Sequence, residues 1–126
     1  GTFLCSQAVA PFMLKQKNGR IINIASLGGL QAWSKHLPYS VSKAGVIMLT
    51  RCLAKSLAPN VYVNAIAPGT IEMDEAASTT SQVNVETIPL KRYGNASDIT
   101  SMVVYLATTA EYITGQIFTI DGGRSA

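Results

Sequence analysis

The chain has 126 residues, 48% hydrophobic and 13% charged, which is globular, rather apolar and enough for one small domain. Its net charge of +3 is uneven: residues 1 to 60 carry seven Lys/Arg and no Asp or Glu, while residues 61 to 126 carry three Lys/Arg and seven Asp/Glu. A single histidine, His36, leaves nothing from which to build a histidine-based triad or a conventional zinc site, and no apolar run approaches the roughly 18 residues of a membrane span, so neither a metal nor a membrane is expected and the protein reads as soluble and cytoplasmic.

The cationic half suits an anionic cofactor or substrate. The plainer account is that Lys15, Lys17 and Arg20 favour a helix C-terminus while Arg51 and Lys55 solvate another helix. No interleaved aromatic pattern points to nucleic acid, and none is expected as a partner.

Residues 2 to 16 read as a helix with Phe3, Leu4, Ala8, Val9, Phe12 and Met13 apolar, Pro11 as a kink and Asn18-Gly19 as its stop. Residues 20 to 25, apolar apart from Arg20 and Asn23, have the pattern of a strand buried on both faces of a parallel sheet. Ser26 follows at the strand's C-terminal end, where open α/β sheets place their ligands. Gly28-Gly29 then allow a tight loop, and Trp33, His36 and Leu37 are expected either at the mouth of a pocket or in ordinary loop packing.

Pro38 suits the first turn of a helix running to about residue 58, which Pro59 ends. Tyr39 and Lys43 lie four apart on this helix, so a phenol and an ammonium share one face. A free phenol keeps its proton to about pH 10, but a fixed cation roughly 5 Å away, at an effective dielectric of about 20, favours the phenolate by about 3 kcal/mol. Tyr39 is thereby a candidate proton donor and acceptor, and Ser26 a hydroxyl for a carbonyl or alkoxide oxygen if the loop folds back across the strand end. Alone, the Tyr-x-x-x-Lys spacing describes any exposed helical pair. The remainder of the helix is apolar nearly all round, from Val41 to Leu57, and wants burial on more than one side, by the sheet and by a second subunit or further chain. Cys5 and Cys52, with no Cys-x-x-Cys spacing, are expected as buried reduced thiols.

Residues 61 to 67 read as the next buried strand, ending in the turn Pro68-Gly69-Thr70-Ile71. Residues 74 to 88 are small and polar without clear period, a mobile lid or a plain surface loop. Asn95 is a plausible N-cap with Asp98 in the first turn of a helix to about residue 109; residues 115 to 120 are a last strand, and Asp121-Gly122-Gly123 a turn in which Asp121 is expected to be structural.

Taken together, Gly19-Arg-Ile-Ile-Asn-Ile-Ala-Ser26, the thirteen-residue step to Tyr39-Ser-Val-Ser-Lys43-Ala-Gly45, Val63-Asn-Ala-Ile-Ala-Pro68-Gly69 and Thr114-Gly-Gln-Ile-Phe-Thr-Ile-Asp121-Gly-Gly123 resemble the short-chain dehydrogenase/reductase family, in its order and spacing over essentially the whole chain. The resemblance implies an α/β, Rossmann-like doubly wound parallel sheet of which only the C-terminal half is present. Residues 1 to 126 would be the catalytic half of a single domain, and the N-terminal dinucleotide-phosphate-binding half would lie outside the sequence. The absence of any Gly-x-Gly-x-x-Gly agrees: neither Leu27-Gly28-Gly29-Leu30 nor Asp121-Gly122-Gly123 has the spacing or the following helix of a phosphate cradle. The family's active-site asparagine, in an Asn-x-x-Gly pattern ending at Gly1, would fall upstream.

By resemblance the protein is an NAD(P)-dependent oxidoreductase that moves a hydride between nicotinamide and a carbonyl or alcohol substrate. Tyr39 is then the general acid/base, Ser26 holds the substrate oxygen, and Lys43 assists Tyr39 and binds the nicotinamide ribose. Pro68, Gly69, Thr70 and Ile71 position the nicotinamide of NADP or NAD, with NADPH favoured. Many relatives carry a threonine three residues beyond the glycine of this turn; Glu72 stands there, and Thr70 is the candidate substitute. The sequence looks similar to 3-oxoacyl-carrier-protein reductases and to pteridine-reductase-like members, and a broader ketone, sugar or steroid reductase stays open. A homo-oligomer, dimer or tetramer, is implied. The alternative is a truncated chain without activity by itself, acting as an oligomer-forming module.

Overall fold

The computed structural model describes residues 1–72 and 83–126. Helix α1 (Thr2–Lys15) leads into strand β1 (Gly19–Ile24), helix α2 (Leu37–Leu57) into β2 (Val61–Pro68), and helix α3 (Ala96–Thr108) into β3 (Ile117–Ile120). Single 3₁₀ turns occupy Leu27–Gly29, Ser34–His36 and Val85–Thr87. The three strands are parallel and lie in the order β1-β2-β3, with Gly19 opposite Val61 at one end and Pro68 opposite Ile120 at the other.

Side chains alternate across a strand, and that period of two sorts the core. On one face Val61, Val63, Ala65 and Ala67 of β2 meet Ile47, Ala54 and Leu57 of α2 and Ala10 of α1. On the other, Ile66 packs with Leu106 and Ala110 and is flanked by Ile22, Phe118, Ile120 and the α3 residues Ile99, Met102 and Val103. Complete burial of one such leucine or isoleucine stabilises by about 1.5–3 kcal/mol. Helices therefore cover both faces, which is the doubly wound arrangement. The α2 and α3 crossovers step the same way across the sheet yet pass over opposite faces, so their hands are opposite and one is the uncommon left-handed form.

Asn23, Thr50 and Asn64 are paired inside this frame, whereas the buried Ser40 Oγ has no partner among the described residues. Asn23 Nδ2 donates to Thr50 Oγ1 at 2.9 Å, and that hydroxyl donates to the Val46 carbonyl, tying β1 to α2. Asn64, 2% exposed, donates from Nδ2 to the Ile113 carbonyl and accepts at Oδ1 from Gln116 N–H, clamping the approach to β3. Asn95 caps α3 in a reciprocal capping box with Asp98.

Burial departs from expectation in two places. Strand β2 is covered throughout, but β1 is only part-buried and Ile24 is exposed, because among the described residues nothing pairs with its outer edge. Cys5 and Cys52 are free and exposed rather than buried, since α1 and α2 turn only one side to the sheet; Phe3, Leu4 and Phe12 of α1 and Val41 and Met48 of α2 face outward as well. No helix among the described residues is long and apolar enough to cross a membrane.

Candidate active site at the carboxyl end of the sheet

Ser26 stands just past the last residue of β1, 5% exposed, and caps the turn Leu27–Gly29 by accepting from Gly28 N–H at 3.1 Å. That bond uses an acceptor site of Oγ and leaves its O–H to donate elsewhere. The turn rests on α2: a Cβ at Gly29 would come within 2.6 Å of the Lys43 carbonyl carbon, so the loop is held against the helix that carries Tyr39 and Lys43.

Trp33 returns over this loop. Its ring lies where a Cβ on Gly28 would be 2.8 Å away, and it stacks on Tyr39 with centroids 6.2 Å apart and planes at 9°. Tyr39 is 44% exposed. Lys43, one helical turn on, places Nζ 5.9 Å from the Tyr39 ring centroid and donates to the carbonyl of Ile24 at 2.9 Å. The ammonium is thus tethered to the end of β1 with donors to spare.

The turn after β2 closes the other side. Gly69 N–H donates to Ile120, and a Cβ there would fall 2.7 Å from Asp121 Cβ, so the two turns leaving β2 and β3 are in direct contact. Ile71 forms an isolated parallel bridge with Gly94 made by the Thr70 carbonyl and the Glu72 N–H. Such a bridge directs Ile71's own N–H and C=O away from it, and neither has a partner among the described residues.

These elements enclose one open cavity of about 520 Å³, walled by Ser26, Trp33, Tyr39, Gly69, Thr70 and Arg124, with Ala32, Ser34, Lys35, His36 and Val83 completing it. Ser26 and Tyr39, thirteen residues apart in sequence, reach the same space. Lys43 lies behind Tyr39 rather than on the wall, and Pro68, which ends β2, and Ile71 flank the wall without lining it. Trp33 and His36 line the cavity as the loop reading allowed, whereas Leu37 is outside it and 63% exposed. Asp121 is structural, accepting from Gly123 and Ser125 N–H.

Of the candidate lid at 74 to 88, residues 73–82 lie outside the described part. Val83 is on the cavity wall, and its carbonyl accepts from the Tyr93 hydroxyl.

Arg124 was not foreseen. It stands 5.7 Å over the Trp33 ring and donates to Thr70 Oγ1 at 3.3 Å, and the only hint in sequence is its place after a Gly-Gly turn. Among the described residues no group of three or more His, Cys, Asp or Glu gathers as a metal site.

Residues 1–125 match the family model described as enoyl-(acyl carrier protein) reductase. The 3-oxoacyl-[acyl-carrier-protein] reductase of Synechocystis sp. is 47% identical over 126 residues, covering 98% of this chain and 51% of that protein. The short-chain dehydrogenase/reductase homolog YusR of Bacillus subtilis is 35% identical and is matched over 98% of its length and 99% of this chain. Among solved structures, ElxO with NADP bound superposes with a TM-score of 0.89 at 29% identity, over 98% of this chain and 53% of that one. The chain spans about half the length of the first of these relatives and nearly all of YusR. Motif order, the parallel Rossmann-like sheet and these matches lead to one conclusion: the chain belongs to the short-chain dehydrogenase/reductase family.

Proposed function

We propose that residues 1 to 126 form the catalytic half of a Rossmann-like NAD(P)-dependent oxidoreductase that interconverts a carbonyl and an alcohol. The observation that carries this reading is the meeting of Ser26 and Tyr39 on one cavity wall, with the Lys43 ammonium held directly behind the phenol. Two hydroxyl-bearing side chains lining one space suit a polar C=O or C–OH, so the 3-oxoacyl reductase resemblance is the guide to chemistry.

In this reading Ser26 donates its hydroxyl to the substrate oxygen. Tyr39 delivers a proton to that oxygen in reduction and removes it in oxidation, while Lys43 offsets the charge left on the phenolate. The nicotinamide cofactor, NADP or NAD with NADPH favoured, supplies the hydride when bound. The residues present fit such a group: Lys43 retains donors for a ribose, the unpaired backbone groups of Ile71 suit a carboxamide, and Gly69 and Thr70 open on the reacting space. The NADP bound to ElxO supports the choice of cofactor class. Among the described residues nothing resembles a pyrophosphate cradle, so that part of the site belongs to another segment. A cytoplasmic homodimer or homotetramer completes the proposal, its contacts drawn from the outward apolar side chains of α1 and α2.

The test is Tyr39→Phe. Turnover of a carbonyl panel with NADPH or NADH should fall by about 10²–10⁴-fold while dinucleotide affinity stays nearly unchanged, and retention of most activity refutes the assigned role.

A second reading is favoured by the full-length match to YusR: a half-length chain acting as an inactive oligomer-forming module. Saturable NADPH or NADH binding by this chain alone would sink it.

A further inference from the structure

The charge on the cavity wall is one-sided. Lys35 and Arg124 line it, and among the described lining residues there is no Asp or Glu. Arg124 is half-buried and forms no ion pair among the described residues, the two salt bridges there being Lys91–Glu86 and Arg92–Asp98. A guanidinium withdrawn partly from water without a carboxylate is a standing demand for an anion.

Arg124 is also aimed. Its backbone belongs to a turn that the Asp121 carboxylate closes by accepting from Gly123 and Ser125 N–H. Gly122 and Gly123 have φ of +67° and +86°, conformations other residues rarely adopt, and a Cβ on Gly122 would strike Ile88 at 2.8 Å. From that turn the side chain is positioned by the Trp33 ring and by Thr70 Oγ1, which leaves further N–H donors free. Trp33 in turn stacks on Tyr39, so guanidinium, indole and phenol form one continuous part of the wall.

We propose that Arg124 is a specificity-determining residue that binds a carboxylate carried by the substrate, so that the site takes oxo acids in preference to neutral ketones. The planar fork of guanidinium donors matches a carboxylate through two parallel hydrogen bonds, and a cavity of about 520 Å³ holds a small oxo acid whole. This rests on the carbonyl–alcohol reading of the same cavity, but its test does not require turnover.

Trp33 is the only tryptophan, so its fluorescence reports directly on ligand beside Arg124. The protein is titrated with acetoacetate, with its neutral ester methyl acetoacetate and with inorganic phosphate. The expected result is saturable quenching or enhancement by acetoacetate at a concentration about tenfold or more below that needed for the ester, a difference that Arg124→Gln collapses toward one and Arg124→Lys partly restores. Equal affinities for acid and ester, a preference untouched by Arg124→Gln, or no saturable response to acetoacetate overturns the proposal. Tighter binding of phosphate than of acetoacetate also overturns the carboxylate assignment, making the subsite one for phosphate. Turnover of the neutral ester with no preference for the acid leaves the reductase standing without this subsite. Arg124-dependent binding of acetoacetate with no turnover of any carbonyl compound leaves the subsite standing without the reductase.

Discussion

Replacing Gly69 with alanine tests whether the contact between the turns after β2 and β3 holds the site together. Gly69 does not have a positive φ, so its backbone accepts a side chain and the collision is the whole effect. The new Cβ would sit 2.7 Å from Asp121 Cβ and 2.8 Å from its Cα, and reaching ordinary contact near 3.6 Å requires the turns to part by roughly 0.9 Å. The Gly69 N–H to Ile120 carbonyl bond, now 2.9 Å, would stretch past the range of a hydrogen bond. Overpacking of this kind costs about 1–3 kcal/mol and the lost bond about 1 kcal/mol more, so a loss of about 2–4 kcal/mol is expected. Urea unfolding followed by Trp33 fluorescence measures it as a lower midpoint at unchanged slope. Gly45→Ala is the matched control: nothing lies within 4 Å of its Cβ position in the middle of α2, and the change should stabilise by about 0.5–1 kcal/mol. A Gly69→Ala loss below about 0.5 kcal/mol would refute the contact. A destabilised or dissociated Gly45→Ala would show instead that another chain covers that face of α2.

Asn64→Leu removes both hydrogen bonds of a buried amide and orphans the Ile113 carbonyl and Gln116 N–H; the same urea titration should show a loss of about 2–4 kcal/mol, and a near-neutral change would remove Asn64 as the clamp on β3. Asp98 predicts a pH dependence. Its paired hydrogen bonds with the Arg92 side chain, then the Asn95 backbone N–H, hold its carboxyl down to about 2, below its ordinary value. A depressed carboxylate stabilises the folded state above its unfolded value near 4, and that contribution is lost as pH falls from about 4 to about 2. Asp98→Asn should therefore flatten the acid limb of a melting-temperature profile in that window, and an identical limb in the variant would count against the pair.

The order of elements was legible because each carries its own period and punctuation. The apolar runs ending at Ala25 and Ala67 gave two strands to within a residue or two at each end, and Pro38, Pro59 and Asn95 marked helix ends where the structure has them. The family resemblance singled out Ser26, Tyr39 and Lys43 as a set, yet it did not tell that Lys43 would tether to Ile24 or that the indole of Trp33 would stack on Tyr39. Arg124 was invisible for a physical reason. Its reach into the cavity depends on the Gly69–Asp121 contact, which joins segments fifty residues apart and leaves no local pattern. The cysteines misled because an apolar helix was read as buried all round, whereas the sheet covers only one side of it.

The opposed hands of the two crossovers carry a consequence for how such a pocket changes. In the connection from β2 to α3, which packs on the far face, the described residues Gly69, Thr70 and Val83 lie on the cavity boundary. The enclosure is therefore partly made of connecting chain rather than of packed framework. Recomposing those boundary residues would redraw the chamber around an unaltered Ser26 and Tyr39, giving a route by which one scaffold acquires new clientele without refounding its core.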